Sequence, residues 1–161
     1  MSKKVLILMG SDSDFSVMSE AGKTLEEFNV EYEITVSSAH RSPERTKELV
    51  SKAKDEGVKV IIASAGLAAH LAGVVAAHFH LPVIGVPIQS GPLSGLDALL
   101  STMQMPPGVP VATVAINGAK NAAVLAVQIL ATSDGALENS LIEYKKKLAD
   151  AVEEKARNLG K

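Results

Sequence analysis

The chain has no cysteine and no tryptophan, and only three phenylalanines and two tyrosines among its 161 residues. The missing cysteines exclude disulfides, thiolate metal centres and a cysteine nucleophile. So few aromatic rings argue against a flavin carrier, which needs stacking partners. With a net charge of −2 there is no basic excess to meet nucleic acid or a membrane surface. The longest apolar runs are broken by His, Gly, Pro or Ser, so no segment reads as a membrane span. No signal-peptide pattern is visible, and a cytoplasmic location is the expectation. His78 and His80 lie two apart with no carboxylate at ligand spacing, so no metal site is expected.

Charge itself is scarce in one region. From Val60 to Ala119 the only Asp, Glu, Lys or Arg is Asp97, while the flanking segments are densely charged. Such a stretch cannot face water throughout, because soluble monomers rarely expose large apolar patches. The expectation is a homo-oligomer in which other copies cover part of it.

What is present alternates between short apolar runs and helical periodicity. Val5–Met9, Glu31–Val36, Val60–Ala65, Pro82–Val86 and Val111–Ala115 read as strands. Met18, Ala21, Leu25 and Phe28 mark a first helix at three- and four-residue spacing. Ser42 reads as the N-cap of a second, with Pro43 in its first turn and Gly57 at its end. Further helices are expected at Ala68–Phe79, Leu96–Met103 and Asn121–Leu130. Leu137, Leu141, Tyr144, Leu148 and Val152 mark a terminal amphipathic helix over residues 136–159 that is expected to pack on a neighbouring subunit. Strict alternation of this kind in one domain, residues 1–161, predicts an α/β fold: a three-layer, doubly wound parallel sheet, flavodoxin-like, with the extra C-terminal helix.

Ligands on such sheets bind at the carboxyl ends of the strands, near a topological switch point. After the first strand comes Gly10-Ser11-Asp12-Ser13-Asp14, a tight turn with hydroxyls and free helix-start N–H groups. It lacks the later glycines of a dinucleotide fingerprint and the Lys of a P-loop. Its two aspartates suit a ligand with hydroxyls, such as a ribose, although Asp and Ser before a helix also serve as plain caps. After the second strand comes Ser38-Ala39-His40-Arg41. Histidine gives and takes protons near neutrality, and arginine offers a planar fork to phosphate or carboxylate. After the third comes Ser64-Ala65-Gly66-Leu67-Ala68-Ala69-His70, whose small residues let a flat ligand approach the backbone. The loop after the fourth strand, with Gln89 and Ser90, adds a polar rim, and His78 and His80 around Phe79 read as capping or interface residues. Together the loops fit a small phosphorylated, sugar-bearing substrate with His40 poised to move protons.

The chain resembles the N5-carboxyaminoimidazole ribonucleotide mutases of purine biosynthesis, the PurE family. The resemblance is carried by Gly10–Asp14, Ser38–Arg41, Ala68-Ala69-His70-Leu71 with Gly73, Gly85-Val86-Pro87, Leu93-Ser94-Gly95 with Asp97, Gln104-Met105-Pro106, Gly108–Thr113 and Asn121-Ala122-Ala123. It implies transfer of a carboxylate from the exocyclic nitrogen of an aminoimidazole ribonucleotide to ring carbon C4. In that reaction carbon dioxide is released and recaptured in a water-poor pocket, and His40 removes the ring proton. It implies that Ser11 and Arg41 lie near the phosphate and Asp14 near the ribose hydroxyls. Gly10, Asp12, Ser38, Ala39, Gly66, Ala68, His70 and Leu71 would line the same site. It implies no cofactor and no metal, and an octamer with sites between subunits. Ser64 and Leu67 stand where the family has glycines, and Ala72 where it has proline. A direct carboxylase of the same fold is the alternative; its signature carries Lys after the catalytic His, where this chain has Arg41. A receiver module is the remaining reading, but Ala115-Ile116-Asn117 lacks the Lys such a module needs there.

Overall fold

A computed structural model of the chain describes residues 4–159. Five parallel strands, β1 (Val5–Met9), β2 (Tyr32–Val36), β3 (Val60–Ala65), β4 (Val83–Pro87) and β5 (Ala112–Thr113), form one sheet in the order β2-β1-β3-β4-β5. The helices are α1 (Phe15–Glu27), α2 (Pro43–Asp55), α3 (Leu71–His78), α4 (Leu96–Met103), α5 (Ala119–Ala131) and α6 (Gly135–Leu159). The chain leaves β1 toward β2 and returns on the other side with β3, so the switch point lies at β1.

Although the strands read as unbroken apolar runs, their residues divide between two cores with period two. Val5, Ile7, Met9, Val60, Ile62, Ile84 and Val86 pack with α1 and α5. Leu6, Leu8, Ile61, Ala63 and Val83 pack on the other face with α2 and α3. Helices cover both faces, which is why these strands carry no polar alternation. The expected flavodoxin-like, doubly wound sheet is what forms.

Two expectations need correction and a third holds with a difference. The alanine-rich helix begins at Leu71 instead of Ala68, leaving Ala68, Ala69 and His70 in the preceding loop. Alanine's helix propensity yields there to tertiary bonding: the Ala69 N–H donates to Ser101 Oγ on α4 (3.0 Å), outside any helical ladder. The fifth strand keeps only Ala112–Thr113, because it is an edge and enters from Pro110, which has no N–H to donate. Ser42 holds the N-cap position of α2 with Pro43 first in the helix, as expected, but its side chain makes no capping bond and its hydroxyl serves the loop described below.

The terminal helix is present as α6, and only its first half packs on this chain. Leu141 is buried, and the Tyr144 ring meets Phe28 edge-on at 5.3 Å. Leu148 and Val152, further along, are exposed.

Gly85 on β4 exists for α4. A Cβ there would collide with Cγ2 of Thr102 and lie 3.0 Å from Val111 Cγ1. Gly85→Ala should therefore destabilise the protein by about 1–3 kcal/mol through overpacking, read by urea unfolding. Adding Thr102→Ser, which removes the colliding methyl, should restore part of the loss.

Candidate active site

The register of β1 sets the site. Met9 pairs with Val36 on one side and with Ser64 on the other. Backbone bonds carry the alignment one step past the strands: Ser37 N–H to Met9 O (2.8 Å) and Gly10 N–H to Ser64 O (2.9 Å). Three loops, starting at residues 10, 37 and 66, thus leave the sheet side by side.

The second loop is held by hydroxyls. Buried Ser37 and Thr46 share a hydrogen bond of 2.7 Å, and Thr46 Oγ1 also donates to Ser42 O at 3.3 Å. Ser42 Oγ donates to Ser38 O (3.1 Å) and accepts from Ser38 N–H (3.2 Å). Ser38 Oγ in turn accepts from the backbone N–H of Arg41 (3.2 Å) and from its Nε (3.3 Å). Arg41 Nη2 donates to Gly10 O at 3.0 Å and so ties the second loop to the first. That bond places the guanidinium beside Ser11, and its Nη1 donors carry no bond among the described residues. The arrangement can clamp an anion between Arg41 and the start of the first loop. Arg45 braces the same corner, donating from Nε to Val36 O (3.0 Å) and from Nη2 to Thr35 Oγ1 (3.1 Å).

One residue from Arg41, the His40 ring crosses to the third loop. His40 Nε2 lies 2.6 Å from His70 Nδ1, with the rings at 78°. Such a contact needs one nitrogen to donate and the other to accept, so the two rings cannot both be imidazolium while it lasts. His70 stands at the N-cap position of α3. Gly66 and Ala68 lie on the same loop and Ala39 beside His40, so the sequence-predicted residues come together from all three strand ends. Leu71 is the exception: its side chain is buried in the core.

In the first loop Ser11 Oγ accepts from Ser13 N–H (3.3 Å) and Ser13 Oγ (2.9 Å) and donates to Asp12 Oδ1 (3.1 Å). Asp14 is turned inward and only 5% exposed, with Ser64 Oγ donating to its Oδ2 at 3.4 Å. Burial pushes the Asp14 carboxyl above its ordinary value of 3.8, against the pull of hydrogen bonds from the Ser11 backbone, the Ser64 and Ser13 hydroxyls and the Gly10 backbone. Ser64, where the resemblance expects glycine, thus has a role that sequence reasoning missed.

Sequence reading placed Gln89 on a polar rim after the fourth strand but missed the residue that holds it there. Asn117, in left-handed conformation (φ 58°), accepts from Gln89 N–H at 2.9 Å through Oδ1, while its own N–H donates to Pro87 O. The Asn117-Gly118 pair was the available signal, since Asn tolerates that backbone in turns. Leu67 also has a positive φ (53°), a conformation that costs a leucine about 1–2 kcal/mol. A glycine there avoids that cost.

His40, Arg41, Leu67, Ala68 and His70 are all exposed. The two cavities of about 640 Å³ lie elsewhere: one is lined by Lys4, Lys59 and Leu137, the other by His78, Phe79 and His80. One chain by itself therefore builds the site's geometry and leaves it open to water. No group of three or more His, Asp or Glu among the described residues is placed to hold a metal ion.

The AIR carboxylase family pattern matches residues 4–151. A Pyrococcus horikoshii protein named N5-carboxyaminoimidazole ribonucleotide mutase is 58% identical over 153 residues, covering 95% of this chain and 86% of that protein. A Schizosaccharomyces pombe protein named phosphoribosylaminoimidazole carboxylase is 51% identical over 96% of this chain, which spans 28% of that protein. The crystal structure of Treponema denticola PurE superposes with a TM-score of 0.90 at 30% identity, covering 98% of both chains.

Asp14→Asn tests the electrostatic reading. A carboxyl whose folded value is raised binds protons more readily in the folded state, so its ionisation costs stability above that value. The variant should melt higher than the parent at neutral pH. The difference should shrink as pH falls through the raised value and vanish below about 3.8. Thermal melts across the acid range check this.

Proposed function

The chain belongs to the AIR carboxylase family and is a mutase of N5-carboxyaminoimidazole ribonucleotide, and we propose that the three strand-end loops are its active site, with His40 as proton carrier. The observation that carries the assignment of roles is the adjacency of His40 and Arg41. Arg41 docks on Gly10 O beside Ser11, while His40 reaches the opposite loop. A substrate whose phosphate sits at Arg41 and Ser11, with ribose hydroxyls toward Asp14, extends its aminoimidazole ring toward His40 and the small residues Gly66 and Ala68.

The proton balance explains why one histidine suffices. When the carbamate C–N bond breaks, its electron pair stays on the exocyclic nitrogen, which takes a proton as carbon dioxide leaves. The electron-rich C4 then forms a bond to carbon dioxide, and the C4 hydrogen departs as a proton. One proton is given and one taken, so an imidazole that cycles between its two forms near neutrality returns to its starting state. His70 meets His40 at the nitrogen that would otherwise face substrate, so seating the ribonucleotide requires that contact to yield or His40 to present Nδ1. Gly10, Asp12, Ser38, Ala39, His70 and the Leu71 backbone complete the lining. The reaction as balanced calls for no redox step and no cofactor.

The assembly is read as a homo-oligomer, an octamer by resemblance, whose neighbouring copies close the site. Support comes from the apolar residues that one chain leaves exposed: Leu93, Leu96, Leu100 and Met103 at α4, and Leu148 and Val152 on α6. Covering them with the same surfaces of other copies would also exclude water from the loops. No described helix is long and apolar enough to cross a membrane, and the cytoplasm is the compartment we assign.

Two measurements test the reading. The carbamate should convert to the C4-carboxylate without added bicarbonate; an absolute bicarbonate requirement would instead make the enzyme a direct carboxylase. His40→Asn should bind the ribonucleotide and stay folded yet lose turnover by about two to four orders of magnitude, and a near-normal rate would remove His40 from the role.

A further inference from the structure

Leu67 is the residue of these loops whose conformation suits it least. Among the described residues, the other non-glycine positions with positive φ are Asn29, Ser94 and Asn117, all short and polar. Leu67 is large, apolar and still 52% exposed. Its side chain reaches across to the loop after β4, where its Cδ2 lies 2.5 Å from the place a Cβ on Gly91 would occupy. Gly91 itself has φ 64°. One residue earlier, the space a side chain at Gly66 would need is filled by Ser90 Oγ, a buried hydroxyl with no hydrogen-bond partner among the described residues. Two successive contacts, 66 with 90 and 67 with 91, thus interlock the third and fourth loops, three residues ahead of His70.

A strained leucine left half in water contributes little to folding, so its place at this rim calls for another explanation. The reaction proposed above supplies one. Between bond breaking and bond making, the migrating group is carbon dioxide, neutral and apolar, with no charge for Arg41 to hold. We propose that Leu67 is the apolar cover that keeps this carbon dioxide beside the aminoimidazole ring, and that Gly91 is the notch that lets the side chain lie across the gap between the loops. The proposal rests on the mutase reading. Carbon dioxide that escapes before C4 captures it leaves the protonated exocyclic amine behind, so the by-product is free aminoimidazole ribonucleotide. The cover therefore acts on how the intermediate partitions, whereas His40 acts on how fast it forms and collapses.

Leu67→Gly is the informative variant, because glycine suits the positive φ and the fold is preserved. Substrate labelled with carbon-13 in the carbamate carboxylate is supplied in buffer containing unlabelled bicarbonate, with an enzyme-free control subtracted. The expected result is a KM close to that of the parent, several-fold more free aminoimidazole ribonucleotide per product, and unlabelled carbon entering the C4-carboxylate. Gly91→Ala, which displaces the leucine while leaving it in the chain, should leak in the same way. Label retention equal to the parent's in both variants would overturn the proposal. So would a fall in the assembled mass of Leu67→Gly, which would make Leu67 a contact between copies. A parent enzyme that converts no carbamate at all would instead overturn the mutase reading.

Discussion

Everything functional in this molecule depends on the alignment of β1 between β2 and β3. Met9 is flanked by Val36 and Ser64, and one further backbone bond on each side extends the alignment into the loops. Side-chain direction in a strand alternates, so a one-residue slip of β1 would move Ile7 and Met9 from the α1 and α5 face to the other. It would also carry Gly10 away from Arg41. The two buried cores therefore enforce the geometry of the loops: hydrophobic register on both faces is converted into the relative position of Arg41 and His40, the phosphate clamp and proton carrier proposed above.

Above the sheet, the scaffold changes from apolar packing to short hydroxyl relays. Ser37, Thr46, Ser42 and Ser38 hand hydrogen bonds along the loop that ends in Arg41. A hydroxyl can both donate and accept, so a chain of them satisfies buried backbone and side-chain groups without importing charge. Ser64 does the same beneath Asp14. The consequence is that Arg41, a charged group near the surface, is positioned by neutral neighbours whose own state does not change with pH, while the His40 ring meets His70.

The charge-poor stretch from Val60 onward has two different fates. Its strands are interior, with Val60, Ile61, Ile62, Ile84 and Val86 almost wholly buried. Its α4 face and the loop bearing Leu67 are not. An exposed apolar helix face and exposed strand-end loops on one chain are complementary facts, since a neighbouring surface would relieve both at once. The second half of α6 belongs to the same pattern, extending past the body of the chain with its apolar positions uncovered.

The amino-acid sequence by itself determined the layer architecture and the three loops that matter. Unbroken apolar strands, helical periodicity and the small, polar residues at strand ends are local signals that act over a few residues. Gly10–Asp14, Ser38–Arg41 and the run to His70 were legible for that reason. What only the tertiary structure decided is which atoms in those loops meet. Ser42 stands at the start of a helix as it read, but its hydroxyl braces Ser38, and Ala68–His70 looked helical but is drawn out by Ser101. Asp14 looked like a surface cap and is buried against Ser64, and the His40 and His70 rings touch across thirty residues of chain. Such pairings depend on which strands lie side by side, a choice made by burial on both faces of the sheet, and no spacing within one segment can encode it.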